Sequence, residues 1–268
     1  MNSEPSDPIL YDVAAGVATI TLNMPDRKNS LSDELVAAFS GLLTRAVEDN
    51  AVRVIMVTNE GNTFCAGADL KADRPGVSED ETERRPGDTA KPTLVDILQQ
   101  IMDAPKPVIG RIDGHATGGG VGLVAACDIS VMRDDAKLGF TEVRIGVAPA
   151  IISVVCLPKL RRADASELFL TGARVTPSRA AEVGLINQAV AADQLDDAVA
   201  AIVDQLVRGG PLALATAKEL IRQVPTMARD DAFAWTAVRS RQLFDSDEAT
   251  AGIAAFRNRE PAPWVPAD

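Results

Sequence analysis

The sequence predicts an α/β fold with a helical extension at its C-terminal end. Three observations carry this. The β-branched runs Val52–Thr58 and Pro107–Ile112 have the composition of strands, and the first is nearly continuous in apolar residues, as a buried parallel strand is. Segments with apolar residues at helical spacing alternate with such runs. From about Asp193 onward the pattern is helical throughout.

Taken in order, Ile9–Asn23 reads as a hairpin. Tyr11-Asp12-Val13 and Val17–Leu22 alternate apolar and polar residues around Ala15-Gly16. Pro25–Ser30 is a loop. Ser32 is placed to cap a helix over about Asp33–Asp49, in which Leu35, Phe39, Leu42, Leu43 and Val47 recur at helical spacing. The strand Val52–Thr58 follows. Lys71–Pro92 then breaks the pattern. Pro75, Gly76, Pro86, Gly87 and Pro92 stand there among many charges, the composition of a mobile surface excursion or lid edge. A helix over about Thr93–Asp103 places Leu94, Ile97, Leu98 and Ile101 on one face. Pro107–Ile112 is the next strand, Gly119–Cys127 a helix and Ile129–Met132 a short strand. Val147–Leu160 is apolar enough for a buried turn and helix. Thr176-Pro177 opens another helix, with proline at the first helical position, and Ile186–Val190 is a last strand. The final helices are expected over Asp193–Arg208, Pro211–Gln223 and Arg229–Phe244; the first stops at Gly209-Gly210. No internal repeat of fixed period is visible.

Length and charge narrow the functional class. The 268 residues suffice to bury a substantial core, and a hydrophobic content of 46% is that of a soluble globular chain. A net charge of −11 argues against a nucleic-acid partner, which calls for a basic face. It does not argue against an anionic small ligand, for which a few local Lys and Arg residues are enough. Met1–Pro8 is polar and acidic and no apolar run approaches about 18 residues, so neither a secretory signal nor a membrane span is expected. Cys65, Cys127 and Cys156 form no C-x-x-C pair, and their odd count fits reduced thiols in a cytoplasmic protein.

The chemistry is concentrated in two small-residue segments and one carboxylate. The segments are Phe64-Cys65-Ala66-Gly67-Ala68-Asp69-Leu70 and Gly114-His115-Ala116-Thr117-Gly118-Gly119-Gly120-Val121-Gly122-Leu123. Small residues there let backbone N–H groups approach a ligand oxygen, and a helix opening near Gly119 would aim its positive end at that oxygen. A plain tight turn is the simplest alternative for the glycines. Two nucleotide-loop templates fail: no Lys-Ser or Lys-Thr follows, and Leu123 stands where the last glycine of G-x-G-x-x-G belongs. The carboxylate is Glu142, set among Leu138, Phe140, Val143, Ile145 and Val147. Burial against that apolar surface would raise its pKa toward neutrality and suit it to proton transfer; a solvated turn glutamate is the alternative.

These segments, in this order, resemble the crotonase family of enoyl-CoA hydratases and isomerases, and the resemblance runs from about Ile9 to Trp264. It implies a spiral of ββα units over residues 1–205 and a helical trimerisation region over 206–268, with a homotrimer or a dimer of trimers as the assembly. It implies that the N–H groups of Ala68 and Gly119 hold a thioester oxygen in an oxyanion hole and that Glu142 transfers the proton. It places Lys28, Ala66, Asp69, Leu70, Lys71 and Gly118 along the CoA moiety, which arrives as part of the substrate, with no separate cofactor. Arg257 and Arg259 are candidates for a neighbouring subunit's phosphates or are simply solvated charges.

One departure matters. Hydratases of that family carry a second glutamate two residues after the glycine triplet, where this chain has Gly122. Hydration of a trans-2-enoyl-CoA to a 3-hydroxyacyl-CoA is the favoured reaction. A single-glutamate enoyl-CoA isomerase and a non-catalytic acyl-CoA-binding protein are the alternatives. The dienoyl-CoA isomerase branch is disfavoured because Ala148, Pro149 and Ala150 occupy the stretch where it has a further acidic residue. His115, the only histidine, is read as structural, which leaves no partner for a Ser-His-Asp triad or a histidine-based metal site. Cys65 is read as a buried small residue.

Overall fold

The computed structural model describes residues 7–70 and 91–265. Two sheets form its centre. The larger has strands β1 (Ile9–Ala14), β2 (Val17–Leu22), β3 (Val54–Asn59), β5 (Val108–Ile112), β7 (Ile129–Arg133) and β9 (Gln188–Val190), hydrogen-bonded in that order. Only the first pair is antiparallel, with Ile9 opposite Leu22 and Ala14 opposite Val17; β2 to β9 run parallel. The smaller sheet is parallel throughout and consists of β4 (Thr63–Cys65), β6 (His115–Thr117) and β8 (Leu138–Gly139).

The chain alternates between the sheets. It lays a strand in the large sheet, then one in the small sheet, then a helix: β3, β4 and α2 (Leu94–Asp103); β5, β6 and α3 (Gly119–Ala126); β7, β8 and, beyond a 3-10 turn at Thr141–Ile145, α4 (Ala150–Cys156). This is the ββα spiral that the family resemblance implied. The units differ in length, which is why no fixed period shows in the sequence.

Local signals explain most elements. Helix α1 (Asp33–Glu48) begins where the Ser32 hydroxyl accepts the Leu35 N–H, and Leu35, Phe39 and Leu43 line its buried face. Thr93 and Asp96 form a reciprocal capping box at the start of α2, whose buried face is Ile97, Leu98 and Ile101. The Thr176 hydroxyl caps α6 (Pro177–Glu182). The main core lies between the two sheets and helices α1 to α4, while Val54, Ile109 and Val131 on the other face of the large sheet meet Leu195, Val199 and Val207 of α7 (Leu195–Val207).

The structure departs from the sequence reading in three places. The three short strands of the small sheet were not expected, and neither was α5 (Arg162–Thr171). Val147–Leu160 does form a turn and helix, but only part of it is buried: Val147, Val154 and Leu157 are exposed, and only Ile152, Val155 and Cys156 of α4 face inward. Position 205/206, the expected start of the helical region, lies within α7, and the chain turns at Gly209-Gly210. The expected excursion at Lys71–Pro92 lies almost wholly outside the described residues.

Three helices complete the chain: α8 (Pro211–Gln223), α9 (Arg229–Phe244) and α10 (Asp247–Asn258). They bury only Ala255 and leave Ile221, Phe233, Phe244 and Phe256 between 70% and 85% exposed. They are nonetheless fastened to the core. Lys218 of α8 reaches the Asp128 carboxylate at 2.7 Å and the Ile101 carbonyl at 2.8 Å. Asp128 in turn accepts the Val108 N–H at the start of β5, at 2.7 Å. Arg53 donates to the carbonyls of Gly209 and Trp264. Among the described residues no single helix is long and apolar enough to cross a membrane. Replacing Lys218 with Ala removes the cation from the partly exposed Asp128 carboxylate and the side-chain donor from the Ile101 carbonyl. We expect Lys218→Ala to lower stability by about 1–3 kcal/mol, read as a lower urea midpoint at unchanged slope; an unchanged midpoint would show that water replaces the ammonium at no cost.

Candidate active site

The residues that the sequence singled out lie just beyond the carboxyl ends of three neighbouring parallel strands. Ala66–Ala68 follow β4, Gly118-Gly119 follow β6, and Phe140–Glu142 follow β8. Because β6 is the middle strand of the small sheet, its pairing with β4 and β8 brings distant stretches of sequence to one edge. The carboxyl edge of a parallel sheet is a common place for a ligand.

The two small-residue segments touch. Gly67 lies so close to the second segment that an added Cβ would stand 2.9 Å from the Thr117 carbonyl oxygen and 3.0 Å from the Gly119 nitrogen. An added Cβ at Gly120 would overlap the Cys65 carbonyl. Gly67 (φ +84) and Gly118 (φ +54) also hold left-handed backbone that disfavours other residues. Gly119 is the first residue of α3, so its N–H has no acceptor within the helix. The N–H of Ala68 likewise meets no acceptor among the described residues. Both residues keep partial exposure, and both therefore have a donor available to a ligand.

A clamp that the sequence reading did not identify holds the first segment. Asn29, fully buried and in left-handed backbone (φ +50), donates from its side-chain amide to the carbonyls of Glu60 and Thr63 and accepts the Met24 N–H. This fixes the loop between β2 and α1 against β4. From that loop the Lys28 carbonyl accepts the Ala66 N–H at 3.0 Å, and the Leu31 N–H donates to the Gly67 carbonyl at 2.8 Å. The signal in the sequence was weak, an Asn inside a polar loop.

Glu142 is the second residue of the 3-10 turn after β8, and its carboxylate faces Gly118: an added Cβ there would be 3.3 Å from Oε1. Oε2 is buried and has no hydrogen-bond partner among the described residues. Burial pushes the Glu142 carboxyl above the usual carboxylate range, and a bond from its own backbone N–H opposes this more weakly. The apolar setting read from the sequence is present in part, since Phe140 and Leu138 are buried while Ile145 and Val147 are exposed. Gly122, where a second carboxylate was looked for, is fully packed: Ile152 of α4 sits on it, and an added Cβ would be 2.9 Å from the Ile152 Cβ and nearer still to its Cγ2.

The other singled-out residues divide. Lys28 is exposed beside the first segment, Leu70 is exposed at its end, and Ala66 is partly exposed within it. The Asp69 carboxylate is nearly buried and pairs with Arg27 at 2.5 Å, so it anchors the loop. Lys71 lies outside the described residues. His115 lies in β6, where its Nδ1 accepts the Lys137 N–H at 2.9 Å. The Cys65 thiol is fully buried and pushed up to about 12, which leaves it a poor nucleophile. Arg257 and Arg259 are exposed at the end of α10.

Comparison with known proteins gives a consistent picture. A sequence profile described as enoyl-CoA hydratase/isomerase matches residues 12–266. The chain is 31% identical over 246 residues to the enoyl-CoA hydratase EchA19 of Mycobacterium tuberculosis, covering 90% of each. It is 30% identical over 256 residues to a carnitinyl-CoA dehydratase of Proteus mirabilis, covering 92% of this chain and 94% of that protein. The crystal structure of an enoyl-CoA hydratase from Mycobacterium smegmatis superposes with a TM-score of 0.87 at 31% identity, covering 97% and 99% of the two chains.

The buried carboxyl of Glu142 has a consequence for stability. Its raised folded-state pKa means that its contribution is fully present below the ordinary glutamate range and is lost as pH rises through the raised value. Glu142→Gln is therefore expected to raise Tm at neutral pH and to flatten the fall in stability above the ordinary range. A variant Tm at neutral pH no higher than the native one would contradict this.

Proposed function

We propose that this chain, which belongs to the enoyl-CoA hydratase/isomerase family, adds water across a trans-2-enoyl-CoA to give the 3-hydroxyacyl-CoA. The observation that carries this reading is the pairing of two available backbone donors, on Ala68 and Gly119, with the carboxylate of Glu142 facing the adjacent Gly118. The thioester carbonyl oxygen accepts from both N–H groups. As charge builds there in the enolate, the two donors and the amino end of α3 stabilise it without having to reorganise. A water oxygen bonds to the β-carbon, the π pair moves toward the thioester, and Glu142 carries a proton from that water to the α-carbon. One carboxylate suffices, because the reaction moves one proton through it. A rate below that of a two-carboxylate site is expected, since a positioned acid–base group contributes about 10²–10⁴-fold.

The CoA portion would run past Lys28, Ala66 and Leu70, with Gly118 at the thioester, and no further cofactor enters the scheme. A second copy of the chain would cover the apolar residues that α8 to α10 leave exposed.

A second reading is supported by a specific observation. Ile152 occupies the space above Gly122, so an apolar side chain stands where a second carboxylate would be. A double-bond migration, in which Glu142 takes a proton from the α-carbon and returns it to the γ-carbon, needs nothing more than one carboxylate.

The test follows the conjugated-enoyl absorbance of trans-2-enoyl-CoA thioesters, with mass analysis of the product. We expect loss of absorbance with a gain of one water, and a fall of about 10²–10⁴-fold in kcat for Glu142→Gln with thioester binding retained. Tight binding with no product from either protein would leave a silent acyl-CoA binder. Conjugated product formed from a trans-3-enoyl-CoA without water addition would favour the migration reading.

A further inference from the structure

The start of α3 presents two glycines on one face. Gly122 donates to the Gly118 carbonyl at 3.3 Å, so the two stand one helical turn apart and one above the other. Each is covered by a side chain from elsewhere in the chain. The Glu142 carboxylate covers Gly118, and Ile152, 2% exposed, covers Gly122. Glu142 and Ile152 therefore lie side by side against the same surface of α3. One turn further along α4, Cys156 is close enough to feel the charge of Glu142. Its buried thiol, pushed up to about 12, stays neutral at any working pH.

We propose that Ile152 is a specificity-determining residue, which holds water off the α3–α4 flank of Glu142 and so sets how this site divides between water addition and return of the proton to carbon. The inference rests on Glu142 as the proton carrier and adds to it the residue that controls its solvation. Three observations meet here. Glu142 Oε2 is buried without a hydrogen-bond partner among the described residues, and a water would satisfy it. The space above Gly122, next along the helix surface, is filled by the branched side chain of Ile152. Pro149, Ile152, Val155 and Cys156 are all buried, so α4 offers no polar side chain there. A proton taken by Glu142 from carbon meets no water on that flank and is delivered to carbon again. Water for addition to the β-carbon has to come from the open side of the site, and that restriction lowers its rate. Both outcomes balance: migration moves one proton and shifts the π pair by one bond, and addition consumes the π bond and one water.

The experiment uses the full chain with native residues, Ile152→Ala, Ile152→Thr and Glu142→Gln. Hydration of a trans-2-enoyl-CoA and migration of a trans-3-enoyl-CoA are measured as functions of pH. Ile152→Ala opens the flank beside Glu142 Oε2, and Ile152→Thr adds there a hydroxyl as the second polar partner that an ordered water needs. The ratio of hydration to migration is expected to rise about tenfold, part of the range that one positioned acid–base contact commands. The acid limb of the pH profile is expected to move down toward the ordinary carboxylate range, a change that loosened packing alone would not give. Ile152→Thr keeps the branched shape and supplies a hydroxyl; it is expected to move both readouts in the same direction, and it serves if the alanine variant does not fold. A folded Ala or Thr variant with a native ratio and a native acid limb overturns the role of Ile152. Native turnover by Glu142→Gln, or no turnover of either thioester by the native protein, overturns the proton-transfer reading itself, and this inference with it.

Discussion

The architecture depends on the close approach of two backbone segments. Cys65–Gly67 and Thr117–Gly120 lie nearer to each other than any side chain larger than hydrogen permits at Gly67 and Gly120. That approach lets β4 and β6 pair although they are only three residues long each. It sets the amino end of α3 beside the first segment. It also leaves Gly118 bare for the Glu142 carboxylate to face. The packing is enforced from outside by Asn29, whose amide ties the preceding loop to the strand that carries the first segment. Backbone polar groups that would otherwise be stranded in this crowded joint find partners on Lys28, Leu31 and Gly139.

How much of this was legible in the sequence varied with the range of the interactions involved. Helices α1 and α2 could be read because Ser32 and Thr93 cap them locally and their apolar residues recur at helical spacing. The large sheet was readable from runs such as Val54–Asn59, buried on both faces. The small sheet was not. His115-Ala116-Thr117 and Leu138-Gly139 are too short and too small to show a strand pattern, and they are extended only because the spiral stacks them. Helix α5 was missed because it begins at Arg161-Arg162 without a capping side chain and buries only Asp164, Ala165 and Leu168. In the site, Ala68, Gly119 and Glu142 were named through a family pattern, and geometry now places them around one edge. Ile152 was beyond reach, since its importance lies in a contact with Gly122 across 30 positions of sequence.

The C-terminal helices show a division of labour between polar and apolar contacts. Charged groups fasten them to the core, Lys218 on Asp128 and Arg53 on two carbonyls, and Glu248 of α10 ties them to one another across the first N–H groups of α8. These bonds set direction and distance. The apolar side chains Ile221, Phe233, Phe244 and Phe256 are left outward. Within one chain the helices are held in position without being buried, so their large side chains remain available for contacts between chains.

All three cysteines are buried, and desolvation pushes each thiol up to about 12. In the folded protein almost no thiolate exists near neutral pH, so alkylating reagents find nothing to attack. The positions of the three differ: Cys65 sits in the joint between the two segments, Cys127 at the end of α3 and Cys156 at the end of α4. The rate at which each becomes labelled therefore measures how often its own region opens. The molecule carries three built-in clocks for local unfolding, and the one at Cys65 times the parting of the backbone segments on which the site is built.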